Sequence, residues 1–149
     1  MTCIVATRDA IYSDSQVSIG ELDLTYPALK IIRGKDCVAG AAGHGGDCSR
    51  FLAWVEDGFK GKEPNWSSKN TSTEDYCAGL VVKEDGIYIF MPGDPMERIE
   101  ADFFAIGSGG KPARVALLLE KTPEEAIELA KQVDPGTGGK LQILRLHDK

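Results

Sequence analysis

The strongest constraint on this sequence lies at its amino end, where two short apolar or β-branched runs flank a two-residue polar break. The runs are Ile4–Thr7 and Ala10–Ser13, and Arg8-Asp9 separates them. This arrangement predicts a tight β-hairpin. In a hairpin centred on that break, residue 2 lies opposite residue 14 or its neighbour. The first residues are therefore expected in a sheet, with the carboxylate of Asp14 opposite Thr2.

The rest of the chain gives further short strand signals and three helical signals. Strands are expected at Leu29–Ile32, Asp36–Ala39, Tyr76–Val82, Ile87–Met91, Phe103–Ile106 and Leu141–Leu146. Helices are expected after a cap at Asp47 to about Gly58, from Pro112 to about Glu120, and after a cap at Thr122 as far as Asp134. Lys60–Asp75 and Pro92–Glu100 read as connections. Runs of strands separated by paired helices predict an α+β layered protein, with residues 1–149 forming one domain.

Composition excludes several classes of function. The 149 residues include 17 basic and 23 acidic side chains, a net charge of −6, which argues against nucleic acid or an anionic membrane as the main partner. No apolar run approaches the roughly 20 residues of a membrane span, and no secretion signal is evident. A cytoplasmic protein is expected. Its four cysteines, without a CxxC pair, read as reduced thiols, so neither a metal nor another cofactor is expected.

Thr2 is the first residue with chemical potential. If Met1 is removed, Thr2 carries a hydroxyl and a free α-amine on adjacent carbons, so the amine can act as base for its own hydroxyl. Taken alone this signal is weak, because many chains begin with Met-Thr. Asp14 taken alone is better explained as a solvated strand end, because most acidic residues are surface charges.

Six motifs in order give the chain a resemblance to a known family. Thr2-Cys3-Ile4-Val5 with Asp14 resembles the start of proteasome β subunits and of the peptidase of the two-component HslUV protease. The later motifs that resemble the same family are Leu29-Lys30-Ile31-Ile32, Ala39-Gly40-Ala41-Ala42-Gly43, Asp47 before a helix, Ala105-Ile106-Gly107-Ser108-Gly109-Gly110 and Asp134-Pro135-Gly136-Thr137-Gly138-Gly139.

The resemblance implies a four-layer αββα sandwich of the N-terminal-nucleophile (Ntn) hydrolase class and hydrolysis of peptides or amides through an acyl-Thr2 ester. Thr2 is then the nucleophile, Lys30 the active-site lysine and Asp14 its partner, and the Gly43 N–H faces the oxyanion. Taken singly, Lys30 is a strand lysine pointing to solvent, Ser108 is a turn residue, and Asp134 is a helix-end or Asx-turn residue. The remaining family positions are Ser108, Asp134 and Thr137 near the terminal amine, and Ala41 lining the substrate pocket.

One departure from the family bears on assembly. Lys60–Asp75 is short and polar where the family has a second long helix of the first helical layer, so that helix is expected to be reduced or absent. The resemblance implies a homo-oligomeric ring, peptide or unfolded-protein substrates and an ATP-dependent unfoldase as partner. Because the missing helix belongs to the layer that borders the unfoldase or a neighbouring ring, this departure weakens the expectation of an unfoldase and of the usual ring stoichiometry.

Three functions remain open on the sequence. The first is an active threonine peptidase. The second is a catalytically silent structural or assembly protein that retains Met1, in which Thr2 has an amide nitrogen and no basic amine. The third is an amidase acting on a small molecule at the same site. Retention of a lysine–aspartate pair favours activity, because a silent scaffold has no need of one. Nucleotide binding is excluded by pattern, since neither glycine cluster matches a phosphate-binding motif.

Overall fold

The computed structural model describes residues 2–19, 22–24, 29–66 and 77–147. Within them lie eleven strands and three helices. The helices are α1 (Gly45–Glu56), α2 (Gly110–Leu118) and α3 (Pro123–Val133). The strands are β1 (Ile4–Thr7), β2 (Ala10–Ser13), β3 (Val17–Ile19), β4 (Leu22–Leu24), β5 (Ile31–Arg33), β6 (Val38–Gly43), β7 (Cys77–Lys83), β8 (Gly86–Phe90), β9 (Glu97–Ile99), β10 (Phe103–Ile106) and β11 (Gln142–Arg145).

Two antiparallel sheets form the centre of the molecule. One has the strand order β10-β1-β2-β11 and the other has the order β5-β6-β7-β8-β9. The expected amino-terminal hairpin is confirmed, because β1 pairs with β2 with Ile4 opposite Ser13. Strands β3 and β4 form a separate two-stranded ribbon. The first sheet thus joins the beginning of the chain to its end, since β11 pairs with β2.

The alternation of side chains along β1 shows how the layers are stacked. Ile4 and Ala6 are fully buried in a cluster with residues of the second sheet, such as Leu80. Cys3 and Val5 point the other way and pack with residues of α2 and α3, such as Ile127. Because successive strand residues face opposite sides of a sheet, the first sheet lies between the second sheet and the two carboxyl-terminal helices.

Helix α1 covers the outer face of the second sheet. Phe51 of α1 stacks on Phe90 of β8 with 5.1 Å between ring centroids, in a cluster that also contains Val81. Gly79 of β7 makes room for this helix, since a Cβ there would collide with the Phe51 ring. The layer order is therefore α2 and α3, first sheet, second sheet, α1. This confirms the expected αββα sandwich.

The helix starts agree with the sequence in one case and differ in two. Thr122 caps α3 in a complete capping box with Glu125, as expected. The expected cap of α1 at Asp47 is wrong: His44 is the cap, and its Nδ1 accepts from the Asp47 N–H at 3.3 Å. Helix α1 begins earlier than expected, at Gly45, which places the buried Asp47 inside its first turn. Helix α2 likewise begins two residues before Pro112, because proline is tolerated in a first helical turn.

Two connections differ from expectation as well. The segment Pro92–Glu100, expected as a plain connection, contains β9, which pairs with β8. The short strands β3 and β4 were not expected at all. Residues 57–66, after α1, form neither helix nor strand, and the remainder of the expected polar loop, residues 67–76, lies outside the described residues. Among the described helices, none has the length and apolar character needed to cross a membrane.

Candidate active site

Asp14 is the centre of a polar cluster at the amino-terminal end of β1, in the first sheet. Its side chain is fully buried, and Lys30 beside it is 9% exposed. Oδ1 of Asp14 accepts from both the Cys3 N–H at 3.1 Å and Lys30 Nζ at 3.0 Å, while Oδ2 accepts from the Gly138 N–H at 3.0 Å. One carboxylate therefore joins the start of β1, the entry to β5 and the loop before β11.

The hairpin register explains why Asp14 reaches this position. Ile4 is opposite Ser13, so the next pair outward is Cys3 with Asp14, and the Asp14 N–H donates to the Cys3 carbonyl at 3.3 Å. By the same counting Thr2 is opposite residue 15, the neighbour of Asp14, which lies within the range expected from the sequence. Thr2 itself is 6% exposed. The turn at the other end of the hairpin thus sets the register that places Asp14 opposite Cys3.

A second cluster surrounds the nitrogen of Thr2. The Thr2 N–H donates to Ser108 Oγ at 3.1 Å. Ser108 Oγ and Thr137 Oγ1 both donate to Asp134 Oδ2, each at 2.6 Å. Oδ1 of Asp134 accepts from the Gly136 N–H at 3.2 Å. The structure therefore brings together three positions expected from the sequence, Ser108, Asp134 and Thr137, in one chain of hydrogen bonds that ends on Thr2.

The surroundings of Asp134 favour the ionised form of its carboxyl group. Burial alone would raise the pKa of Asp134, but the hydrogen bonds from Ser108, Thr137 and Gly136 outweigh it and hold that pKa below its ordinary value of 3.8. A carboxyl whose pKa is lower in the folded than in the unfolded state stabilises the fold at pH values above its unfolded pKa. This contribution is lost as the pH falls through the folded pKa. At neutral pH Asp134 is therefore an acceptor only, which leaves the Ser108 hydroxyl proton directed at Asp134 and its lone pairs facing the Thr2 nitrogen.

Two glycines of the β10–α2 turn allow the backbone to approach Thr2 closely. The Gly109 N–H donates to the Thr2 carbonyl at 3.0 Å. Gly107 has φ of +92°, a conformation that other residues rarely adopt, and a Cβ there would overlap the Thr2 carbonyl oxygen. The turn therefore holds the carbonyl of Thr2 while Ser108, between the two glycines, holds its nitrogen.

Replacing Gly107 by alanine is expected to displace Thr2 and abolish its chemistry, because the new methyl group and the Thr2 carbonyl cannot occupy the same space. Gly93→Ala is a matched control, since Gly93 has a similar φ of +87° but no heavy atom within 4 Å of the position of its Cβ. Labelling of Thr2 by an electrophile and thermal unfolding should be measured for both. Equal loss of labelling in the two variants would mean that backbone strain, and not the collision with Thr2, is responsible.

Strand β6 of the second sheet carries Gly43, the glycine expected at the oxyanion position. The Ala41 N–H donates to the Lys30 carbonyl at 3.1 Å. Because N–H groups alternate along a strand, the Gly43 N–H, two residues later, points to the same side of β6 as that of Ala41. Gly43 is the last residue of β6 and has φ of +120°. It lies opposite Cys77 of β7.

The side chain of Ala41 lies in a different place from the polar cluster. It is 3% exposed and packs in the cluster between the second sheet and α1, together with Phe51. Its part in lining a substrate pocket remains a prediction.

Sequence reasoning missed backbone donors that complete the site. Gly138 supplies the third hydrogen bond to Asp14, and its carbonyl accepts from the N–H groups of Ser15 and Gln16 at 3.0 Å each. Gly109 supplies the bond to the Thr2 carbonyl. The paired glycines Gly109-Gly110 and Gly138-Gly139 could have indicated these donors, since close backbone approach often requires glycine. Among the described residues, no group of three or more His, Cys, Asp or Glu side chains is placed to hold a metal ion.

Comparisons with known proteins bear on the fold. The chain matches no protein-family model and no curated protein sequence. It is similar to the crystal structure of eukaryotic HslV from Trypanosoma brucei, with a TM-score of 0.72 and 21% identity over 96% of this chain and 98% of that chain. It is also similar to BPH from Thiobacillus denitrificans, with a TM-score of 0.68 and 16% identity over 99% of both chains. A structure of BPH in complex with epoxomicin gives a TM-score of 0.64 and 17% identity, again over 99% of both chains.

These likenesses extend over nearly the whole chain in both directions, so they concern the complete arrangement of layers and not one motif. At identities of 21% and below they establish the fold alone. Together with the order of helices and sheets described above, they confirm the resemblance noted in the sequence: this chain has the HslV-like Ntn-hydrolase fold, which is also that of proteasome β subunits.

Proposed function

We propose that this protein is an N-terminal threonine hydrolase that cleaves peptide bonds through an acyl-Thr2 ester, after removal of Met1. The observation that carries the proposal is the placement of the Thr2 nitrogen 3.1 Å from Ser108 Oγ, which itself donates to Asp134. In the full chain this nitrogen belongs to the Met1–Thr2 peptide bond. Removal of Met1 converts it to a primary amine beside the hydroxyl of the same residue.

Lys30 supplies the electrostatic condition for this chemistry. The Thr2 amine must be neutral to accept the hydroxyl proton, and a free α-amine has a pKa of about 7.7–8.0. Lys30 Nζ and the Cys3 nitrogen contact the same oxygen of Asp14, which places the lysine beside the residue that follows Thr2. A positive charge close to the amine disfavours its ammonium form. Asp14 keeps the buried lysine paired and in place.

The reaction then uses groups already described. The amine takes the proton of the Thr2 hydroxyl as its oxygen attacks the substrate carbonyl, and the Gly43 N–H stabilises the resulting oxyanion. One such donor is worth about 10²–10³ in rate. Collapse of the tetrahedral intermediate releases the leaving amine, which receives the proton, and leaves the acyl-Thr2 ester. Water activated by the same amine hydrolyses the ester and restores Thr2.

The proposal includes the setting of the site. A single domain spanning residues 1–149 would present an open protease, and assembly of several copies into a homo-oligomeric ring would enclose it. The fold shared with HslV supports this arrangement. The proposed location is the cytoplasm, which the four free thiols support because reduced cysteines are typical of that compartment.

Intact mass after incubation with an epoxyketone tests the proposal, because this electrophile requires both the hydroxyl and the free amine of an amino-terminal threonine. The expected result is loss of one methionine and gain of one adduct, which Thr2→Ala abolishes. Thr7→Ala is the matched control, since Thr7 ends β1, the strand that follows Thr2, and its hydroxyl bonds to Asp9 and Ala10 at the turn. That variant should label like the wild type.

The hydrolase proposal is contradicted if the protein retains Met1 and gives no adduct even after Met1 is removed enzymatically. That result would favour a silent assembly protein. Labelling of Thr2 with turnover of small amides but of no peptide would instead favour a small-molecule amidase. A panel of short acyl-peptide amides and simple amides separates these results.

A further inference from the structure

Two cysteines lie close together outside the polar cluster. Cys48 Sγ and Cys77 Sγ are 4.0 Å apart, and both are free thiols. Cys48 is half-buried on α1 and Cys77 is buried at the first position of β7. The contact joins a helix to the sheet that it covers, across 29 residues of sequence.

This thiol pair lies directly behind the proposed oxyanion position. Cys77 is the partner of Gly43 in the β6–β7 register. Cys48 lies in the first turns of the helix that starts two residues after Gly43, and its N–H donates to the His44 carbonyl at 2.9 Å. The segment 43–48 is therefore bounded at one end by the strand partner of Cys77 and at the other by Cys48.

The two thiols differ in acidity. The hydrogen bond from Cys77 lowers the pKa of Cys48 below its ordinary value, against the opposing effect of burial. The same hydrogen bond and burial raise the pKa of Cys77. The amino terminus of α1 also favours a thiolate at Cys48, because thiolates are stabilised near helix amino termini. Cys48, the more exposed of the two residues, is thus the more nucleophilic thiol, and the protonated thiol of Cys77 lies 4.0 Å from it.

We propose that Cys48 and Cys77 form a peroxide-reactive dithiol, a modification site whose oxidation to a disulfide slows the chemistry at Thr2. The Cys48 thiolate attacks one oxygen of hydrogen peroxide or an alkyl hydroperoxide, the O–O bond breaks, and the leaving oxygen departs as water or alcohol after taking a proton. Cys48 becomes a sulfenic acid. The Cys77 sulfur then attacks the Cys48 sulfur, the S–O bond breaks, and hydroxide leaves as water with the Cys77 proton. Two electrons pass from the two thiols to the peroxide.

The effect on the site follows from the geometry. A disulfide requires the sulfurs to close from 4.0 Å to about 2.0 Å, so the two side chains and the segments of α1 and β7 that carry them must adjust next to Gly43. A displacement of about 1 Å at a catalytic position can cost about 10² in rate. This part of the inference rests on the proposed function, whereas formation of the disulfide does not.

Peptide mapping tests the bond itself. The protein is treated with hydrogen peroxide, alkylated and digested with trypsin, which leaves Cys48 in residues 36–50 and Cys77 in residues 70–83. The expected product is these two peptides joined, lighter by two hydrogens and separated again by dithiothreitol. Because residues 36–50 also contain Cys37, the link must persist in Cys37→Ser and vanish in Cys48→Ser. Accumulation of sulfenic or sulfinic acid at Cys48 with no joined peptide would overturn the proposal.

The rate of epoxyketone labelling tests the coupling to Thr2. Oxidised wild type is expected to label at least about tenfold more slowly than reduced wild type, with recovery on reduction, while Cys48→Ser labels at the same rate before and after peroxide. A joined peptide with an unchanged labelling rate would overturn the coupling. Failure of the reduced protein to label at all would count against the proposed function, and the mapping result would then stand on its own.

Discussion

Asp14→Ala is expected to lower the free energy of unfolding by about 3–5 kcal/mol, the usual cost of removing one partner of a buried ion pair. The substitution leaves the Lys30 ammonium, which is only 9% exposed, without its carboxylate, and it deprives the N–H groups of Cys3 and Gly138 of their acceptor. Urea denaturation followed by fluorescence measures the change. Because Asp14 is fully buried, solvent screening reduces this figure little.

Asp9→Ala provides the control for this prediction. Asp9 lies at the tip of the same hairpin and is exposed, and its carboxylate accepts from the Thr7 hydroxyl. We expect no measurable loss of stability in that variant. The double variant Asp14→Asn/Lys30→Met, which removes both charges, is expected to be more stable than Asp14→Ala, because no unpaired charge remains. If it is equally unstable, the main role of Asp14 is to bind the two backbone N–H groups.

Lys30→Met is expected to reduce turnover by about 10²–10⁴, the usual range for a residue that controls proton transfer. It should also shift the pH profile. In the wild type, turnover is expected to rise with pH as the Thr2 amine loses its proton, with a midpoint below the ordinary range of about 7.7–8.0 because Lys30 opposes the ammonium form. Without that charge the midpoint should move upward. Stopped assays of a peptide amide between pH 5 and pH 9.5 would measure both effects.

The control for Lys30→Met is Lys35→Met, which removes an exposed lysine from the turn between β5 and β6 and should change neither value. A fall in turnover with an unmoved midpoint would show that Lys30 acts only by packing or orientation. The shift in the midpoint therefore separates an electrostatic role from a structural one. Met is suitable because it keeps the length of the lysine stem without its charge.

Local chemistry made some elements predictable from the sequence. The two-residue break between β1 and β2 and the Thr122–Glu125 capping box depend only on residues a few positions apart, and both appear as expected. The cap of α1 was missed because aspartate is a commoner cap than histidine, so Asp47 gave the stronger signal. Strand β9 was missed because only three residues form it and their pairing with β8 is a tertiary contact.

The candidate site was predictable only through resemblance. Asp14, Lys30 and Gly138 lie far apart in the sequence, and nothing in their own surroundings shows that they meet. Lys30 in particular reads as a solvent-facing strand residue until the ion pair with Asp14 is seen. The two backbone donors, Gly109 and Gly138, carry no side chain whose chemistry could have drawn notice.

The three contacts of Asp14 also determine when the site can exist during synthesis of the chain. They join residues 3, 30 and 138, and Gly138 follows Asp14 by 124 residues. A nascent chain emerges from the ribosome in order, so Thr2 is exposed long before the loop that completes its surroundings has left the exit tunnel. Under the proposed function, a chain that has not yet released the loop around Gly138 lacks one of the three groups that hold Asp14, so a partly synthesised molecule has no complete site with which to cleave itself or its neighbours.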